Sequence, residues 1–238
     1  MAAPSEALPA GRSWTSPWLA WVGANAVGEA VGLGLVFACG FLFIRFWGEP
    51  ASVPALIALV GLTILLGLVE GSVVGFCQWW VLREVLPPIG RRRWMGATSV
   101  GATVAWLLGM IPSTVASFSP DDTAAAPAEP PLTLILALAA GMGLVGGLVL
   151  ALPQWWVLRR ARPRAGLWLP ANAVAWAAGM PWIFWLVGAT VGEVQSVASF
   201  ALFLAGLAVA GAIVGVVHGW VLFTRIVPQH HEPGAQAG

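Results

Sequence analysis

The element Gln-Trp-Trp-Val-Leu-Arg occurs twice, at 78–83 and 154–159, and each copy closes a long apolar run. A third, worn copy, His-Gly-Trp-Val-Leu, fills 218–222. A bilayer core about 30 Å thick is crossed by about 20 apolar residues in helical form. Backbone groups find no water there, so each run must satisfy its own by coiling into helix. The recurrence therefore restricts the chain to a bundle of membrane-spanning helices built from repeats, each closing at the same kind of boundary.

Composition agrees. Hydrophobic residues make up 59% of the 238 residues and charged residues 9%, against roughly 25% charged in a soluble domain. The net charge of +1 supplies no basic excess to meet phosphates, which excludes a nucleic-acid partner. All 11 basic residues are arginines and tyrosine is absent, a bias that points with the Ala, Gly and Pro content to a GC-rich bacterial genome. Cys39 lies near one end of the first apolar run and Cys77 near the opposite membrane face, so no bridge between them is expected. Residues 1–16 and 228–238 read as disordered ends, and the first apolar run is too long for the core of a cleavable signal.

Six runs have the length of a span: Pro17–Phe46, Pro54–Leu82, Trp94–Phe118, Leu132–Leu158, Trp168–Thr190 and Ser196–Phe223. The expected fold is an all-α bundle occupying 17–227. Self-similarity groups the spans. Gly67, Gly71 and Gln78 match Gly143, Gly147 and Gln154, and Gly211, Gly215 and His218 continue the series. Ala24-Asn25-Ala26-Val27 matches Ala171-Asn172-Ala173-Val174. Val104-Ala105-Trp106 before Gly109-Met110 matches Val174-Ala175-Trp176 before Gly179-Met180. The expected unit is an odd span followed by an even one, at about 17–83, 94–159 and 168–225, with a pseudo-threefold axis along the membrane normal.

Ten of the arginines fall on one side of these spans and only Arg45 on the other, where Glu49, Asp121, Asp122, Glu129 and Glu193 lie. The arginine-rich side is expected to be cytoplasmic, with both termini, in a bacterial inner membrane. Trp14, Trp18, Trp21, Trp79, Trp80, Trp94, Trp155, Trp156, Trp168 and Trp220 gather at the same boundary, where indoles are expected as headgroup anchors beside snorkelling arginines.

The inward stripes are small. Gly67, Gly71 and Gly75, Gly143 and Gly147, Gly211 and Gly215, and Gly28 and Gly32 recur four residues apart, the spacing at which membrane helices approach closely. Gln78, Gln154 and His218 share those stripes and are expected to form a ring of three polar groups, bonding between helices or serving as a gate. Glu29 lies about 16 Å along the helix from Trp18, and Glu70 about 20 Å before Arg83, at ~1.5 Å per residue. Both are thus placed near mid-membrane on consecutive antiparallel spans. A carboxylate there must find a proton or a partner, and the expected solution is a proton shared between the two or hydrogen bonds from Asn25 and Ser72. The repeat makes Trp106 and Trp176 the equivalents of Glu29, and Gly146 and Ala210 the equivalents of Glu70. Only the first unit therefore carries acids, which makes Glu29, Glu70 and Asn25 the candidate proton or solute site.

His218 could in principle ligate a haem or pigment, but its place in the Gln78/Gln154 series accounts for it and no cofactor is expected. His230 and His231 are two adjacent tail residues and make no metal site. GxSxG, HExxH and P-loop elements are absent, and lysine is missing altogether, so no enzymatic activity is expected.

The element Gly71-x-x-x-Gly75-x-x-Gln78-Trp79-x-x-Leu82-Arg83, repeated with Ala151 for the second glycine at 147–159, resembles that of a group of uncharacterised bacterial polytopic membrane proteins carrying it two or three times. The third copy departs, with Gly219 for the first Trp and Phe223 for Arg. The resemblance extends over Pro17–Arg225 and implies a membrane fold without an assigned activity. Mitochondrial carriers share a plan of three two-helix units, but their Pro-x-[Asp/Glu]-x-x-[Lys/Arg] element is absent here.

The expected function is transport of a small solute or proton through the Glu pair. The alternative is a scaffold whose glycine faces bind other membrane helices or a second copy of the chain. Labelling of single cysteines at 92 and 160, in protein lacking Cys39 and Cys77, is expected to modify both from the same membrane face. Reaction from opposite faces overturns the even-numbered return of the chain.

Overall fold

A computed structural model describes residues 15–48, 52–116, 130–190 and 196–227. The two tails, Trp14 and the acids Glu49, Asp121, Asp122, Glu129 and Glu193 lie outside the described residues. The described chain is all-α: α1 (Thr15–Trp47), α2 (Val53–Val85), α3 (Arg91–Ala116), α4 (Leu132–Leu158), α5 (Trp168–Thr190) and α6 (Val197–Val221). Thr15 and Ser16, expected in the disordered lead-in, open α1.

Five of these helices are long and apolar enough to cross a membrane. The exception is α3, the least apolar of the six, which opens on Arg91, Arg92 and Arg93 and buries Thr98 and Ser99. Ser52 caps α2, and Ser196 and Ser199 form a reciprocal capping box on α6. Both devices satisfy first-turn N–H groups at the end away from the arginines.

The helices close into a ring in which chain neighbours run antiparallel and α6 returns to α1. The broadest contacts are α4 with α5, α2 with α3, and α1 with α6. The hairpins expected as units, α1–α2, α3–α4 and α5–α6, are the looser seams. The reason lies in the small-residue stripes, which the even helices turn toward the odd helix across the tight seam. Gly71 abuts Ser99 and Ala102, Gly147 abuts Asn172 and Ala173, and Gly211 abuts Asn25 and Glu29. Gly75 and Gly215 continue the same approaches against Met95 and Val22, and Gly67 and Gly143 against Trp106 and Trp176. Gly28 and Gly32 serve the α1–α2 seam, against Val74 and Glu70.

The inside is accordingly small and polar, and the outside apolar. Leu65, Leu138, Val145, Val174 and Leu202 are among many large exposed hydrophobics. That is the reverse of a soluble core and the arrangement lipid-facing helices require. Two buried apolar clusters occupy the ends. One, at the arginine-rich end, centres on Leu82, Leu158, Leu222 and the indoles of Trp21, Trp94 and Trp168. The other joins Leu33, Ile183, Leu186, Phe203 and Leu207.

The worn third copy ends differently. After Val221 the chain winds as a π-turn, Leu222–Ile226, closed by Val227 N donating to Leu222 O at 2.8 Å. Phe223, in the place of an arginine, is thereby buried with its ring edge-on to Trp21 at 6.2 Å. The extra residue carries Arg225 back over Trp220, 5.9 Å from the ring centre. The Trp–Arg pairing of the other copies, Arg83 over Trp80 at 3.5 Å and Arg159 over Trp156 at 4.2 Å, thus survives in altered register.

A methyl at Gly147 would press on the Asn172 carbonyl and lie 3.0 Å from Ala173 Cα, whereas one at Gly141 meets nothing within 4 Å. Gly147→Ala is expected to cost about 1–3 kcal/mol through overpacking. Gly141→Ala is expected to be neutral or to gain up to about 1 kcal/mol from helix propensity. Thermal unfolding in detergent checks the contrast.

Candidate functional site

Two turns of close helix contact bring each even helix to a polar residue that cannot reach lipid. Gln78, Gln154 and His218 each follow a packed glycine by seven residues, and all three are buried. Facing them across the tight seams are Trp94, Trp168 and Trp21. Trp94 Nε1 donates to Gln78 Oε1 at 3.1 Å, Trp168 Nε1 to Gln154 Oε1 at 2.9 Å, and Trp21 Nε1 to His218 Nδ1 at 2.9 Å.

Four residues after each of these tryptophans a polar side chain bonds back to the tryptophan carbonyl. Asn25 Nδ2 donates to Trp21 O at 2.8 Å, Thr98 Oγ1 to Trp94 O at 3.0 Å, and Asn172 Nδ2 to Trp168 O at 3.0 Å. Two of the three loose seams are then bridged. Gln78 Nε2 donates to Asn25 Oδ1 at 2.9 Å, and Gln154 Nε2 to Thr98 Oγ1 at 2.9 Å. Gln154 Nε2 also lies 3.3 Å from Gln78 Oε1, joining α4 to α2.

This corrects the expected anchoring role for three indoles. Trp21, Trp94 and Trp168 are 0% exposed and pack edge-on, Trp21 to Trp168 and Trp94 to Trp168 both at 6.1 Å between ring centres. Trp80, Trp156 and Trp220 stay exposed at the boundary, stacked with arginines, as the anchor argument requires. Trp79 is half-buried and donates to Ile89 O at 3.2 Å, pinning the turn between α2 and α3.

Beyond the polar layer lie the two acids. Glu29 and Glu70 are both buried and, with Asn25, Gln78, Thr98, Gln154, Asn172 and His218, line one cavity of about 20 Å³. Their expected partners are otherwise engaged. Asn25 bonds Trp21 and Gln78, while Ser72 bonds Leu68 O and Ser99. Glu70 instead accepts from Trp106 Nε1, expected only as the repeat equivalent of Glu29. Glu29 Oε2 is buried without a hydrogen-bond partner among the described residues. Its position is fixed by Gly211, where a methyl would come within 2.8 Å of the Glu29 side chain.

Along the helices the cavity lies between the indole-centred cluster of the arginine-rich end and the Leu33–Phe203–Leu207 cluster. A cavity of about 20 Å³ admits one water-sized group, far less than a haem. Among the described residues no cluster of three His, Cys, Asp or Glu could hold a metal ion, and both cysteines are free. The chain matches no family model, and no curated protein or solved structure shows significant similarity to it.

Thr98, Trp106 and Asn172 are site residues that the sequence argument did not single out. The spacing Trp-x-x-x-Asn or Trp-x-x-x-Thr at 21–25, 94–98 and 168–172 is the signal that picks out two of them. Trp168→Phe removes one donor and leaves Gln154 Oε1 unpaired in the interior. The expected loss is about 1–3 kcal/mol of stability, read by thermal unfolding. Trp156→Phe, at the exposed anchor, is expected to change it by less than about 0.5 kcal/mol.

Proposed function

We propose that this chain is a six-span membrane protein that carries a proton or another small solute through the cavity between Glu29 and Glu70, without enzymatic chemistry. The observation that carries the proposal is Glu29. It is a buried carboxyl with an oxygen unpartnered among the described residues, and it shares a chamber lined by polar side chains with a second buried carboxyl. A buried acid without a cation partner is expensive in an apolar medium, and acids inside spans mark proton and ion pathways. No arginine lines the chamber to neutralise either carboxyl.

We further propose a pseudo-threefold architecture whose units are α6 with α1, α2 with α3, and α4 with α5. Equivalent hydrogen bonds from Trp21, Trp94 and Trp168 support this pairing, as does the ordering of the helix contacts. In that frame the Val-Ala-Trp match between α3 and α5 slips by one helical turn, and Ala102 with Trp176 become the counterparts of Glu29. The third helix takes its place in the ring as a span although it is less apolar, because its polar face is turned inward onto α2. The arginine-rich end is cytoplasmic on the positive-inside argument, in a bacterial inner membrane with both termini on that side. The resemblance to bacterial polytopic proteins with this repeated element is in keeping with that placement.

The alternative of a scaffold loses its main support. The glycine stripes that would have served other helices are filled by neighbours within the same chain.

Glu29→Gln/Glu70→Gln is nearly isosteric and keeps a hydrogen-bond acceptor for Trp106. The double variant is expected to insert and unfold like the parent while losing pH-dependent flux in proteoliposomes. Parent-like flux from the double variant sinks the proposal.

A further inference from the structure

Around the polar layer, two loose seams are bridged directly, by Gln78 to Asn25 and by Gln154 to Thr98. The third seam, between His218 on α6 and Asn172 on α5, has no such bond. Asn172 uses Nδ2 on the Trp168 carbonyl, and the hydrogen bond of His218 is made at Nδ1. Both residues line the chamber that Glu29 also lines.

The chemistry of His218 decides what can sit there. Nδ1 accepts the Trp21 indole proton, so the ring is neutral and its own proton is on Nε2. The imidazole therefore offers the chamber a donor. Asn172 Oδ1 offers an acceptor, and the Glu29 carboxyl has an oxygen lacking a partner. A buried water makes about three hydrogen bonds to such groups and needs about 10–15 Å³. The chamber provides about 20 Å³. Water accepts and donates, so it can serve all three groups together.

We infer that the chamber binds one water molecule, which accepts from His218 Nε2–H and donates to Asn172 Oδ1 and the Glu29 carboxyl, and that this site passes protons and rejects metal cations and ammonium. The inference rests on the transport reading of the chamber and narrows its substrate. A metal cation has no lone pair to receive the Nε2–H and meets its positive end. Ammonium, a donor only, is rejected for the same reason. The titratable groups lining the site are Glu29 from α1, Glu70 from α2 and His218 from α6. The lining residues from α3, α4 and α5 are uncharged.

His218→Gln tests the site. Gln78 and Gln154 already show a carboxamide accepting from an indole through Oε1 while donating through Nε2 across the seam. At 218 the same side chain is expected to bond Asn172 directly and displace the water. Proton flux in proteoliposomes should fall by about a hundredfold, the scale of losing a positioned proton-transfer group, with the unfolding midpoint kept or raised. Parent-like proton flux from this variant overturns the inference, and so does uptake of labelled sodium or methylammonium by the parent. A readout independent of flux is ¹⁵N NMR of histidine-labelled protein carrying His230→Ala and His231→Ala, which leaves His218 alone. The Nε2–H tautomer is expected, and the Nδ1–H tautomer refutes the site. If the parent carries no proton yet a density map shows water on His218, Asn172 and Glu29, the transport reading falls and the water site stands.

Discussion

The hydrogen bond from a buried indole to a buried carboxamide or imidazole is the interaction on which the rest of this molecule depends. In hydrocarbon an unpaired polar group costs several kcal/mol, and no solvent is at hand to relieve it. Gln78, Gln154 and His218 can therefore lie inside only if a donor arrives from the facing helix at the right height. Trp94, Trp168 and Trp21 supply it. Each bond fixes the axial register of two helices, and the small residues one and two turns away let the backbones come close enough for the bond to form. Packing and polarity thus specify the same arrangement, and a slip of one turn would break both.

Much of this was readable from residue type and spacing. The helices fall close to where apolar length placed them, with α2, for instance, running Val53–Val85 against an expected Pro54–Leu82. Gln78 and Gln154 are bonded to each other, and His218 lines the same cavity, because all three sit on stripes whose other members are glycine or alanine. Glu29 and Glu70 meet in one cavity because their depths on antiparallel neighbours agree.

What stayed hidden depends on contacts distant in sequence. A tryptophan in the end turns of a span looks the same whether it faces headgroups or the interior. Only the partner helix distinguishes Trp94, fully buried, from Trp80, exposed and stacked on Arg83. The tight pairing of α1 with α6 joins the two ends of the chain, so no local pattern announces it. The donor to Glu70, Trp106, comes from α3, so nothing on the two helices that carry the acids announces it. The π-turn after α6 restores a Trp–Arg pair that the sequence of the third copy had lost.

The two clusters that flank the chamber differ in kind, and the difference bears on how water would reach it. Toward the arginine-rich end the barrier is a layer of indoles held by directional bonds to Gln78, Gln154 and His218. Water entering there can replace each bond it breaks, so the net cost of opening is about 0.5–1.5 kcal/mol per bond. Toward the other end the barrier is Leu33, Ile183, Leu186, Phe203 and Leu207, with a T-shaped contact of Phe37 on Phe203 at 5.1 Å. Water gains no hydrogen bond there, and the apolar surface it wets costs about 25 cal/mol per Å². The polar layer is thus both the device that fixes the fold and the cheaper of the two barriers to hydrate. A chain that stores its buried carboxyls just behind that layer keeps them apart from bulk water at rest and within one rearrangement of it.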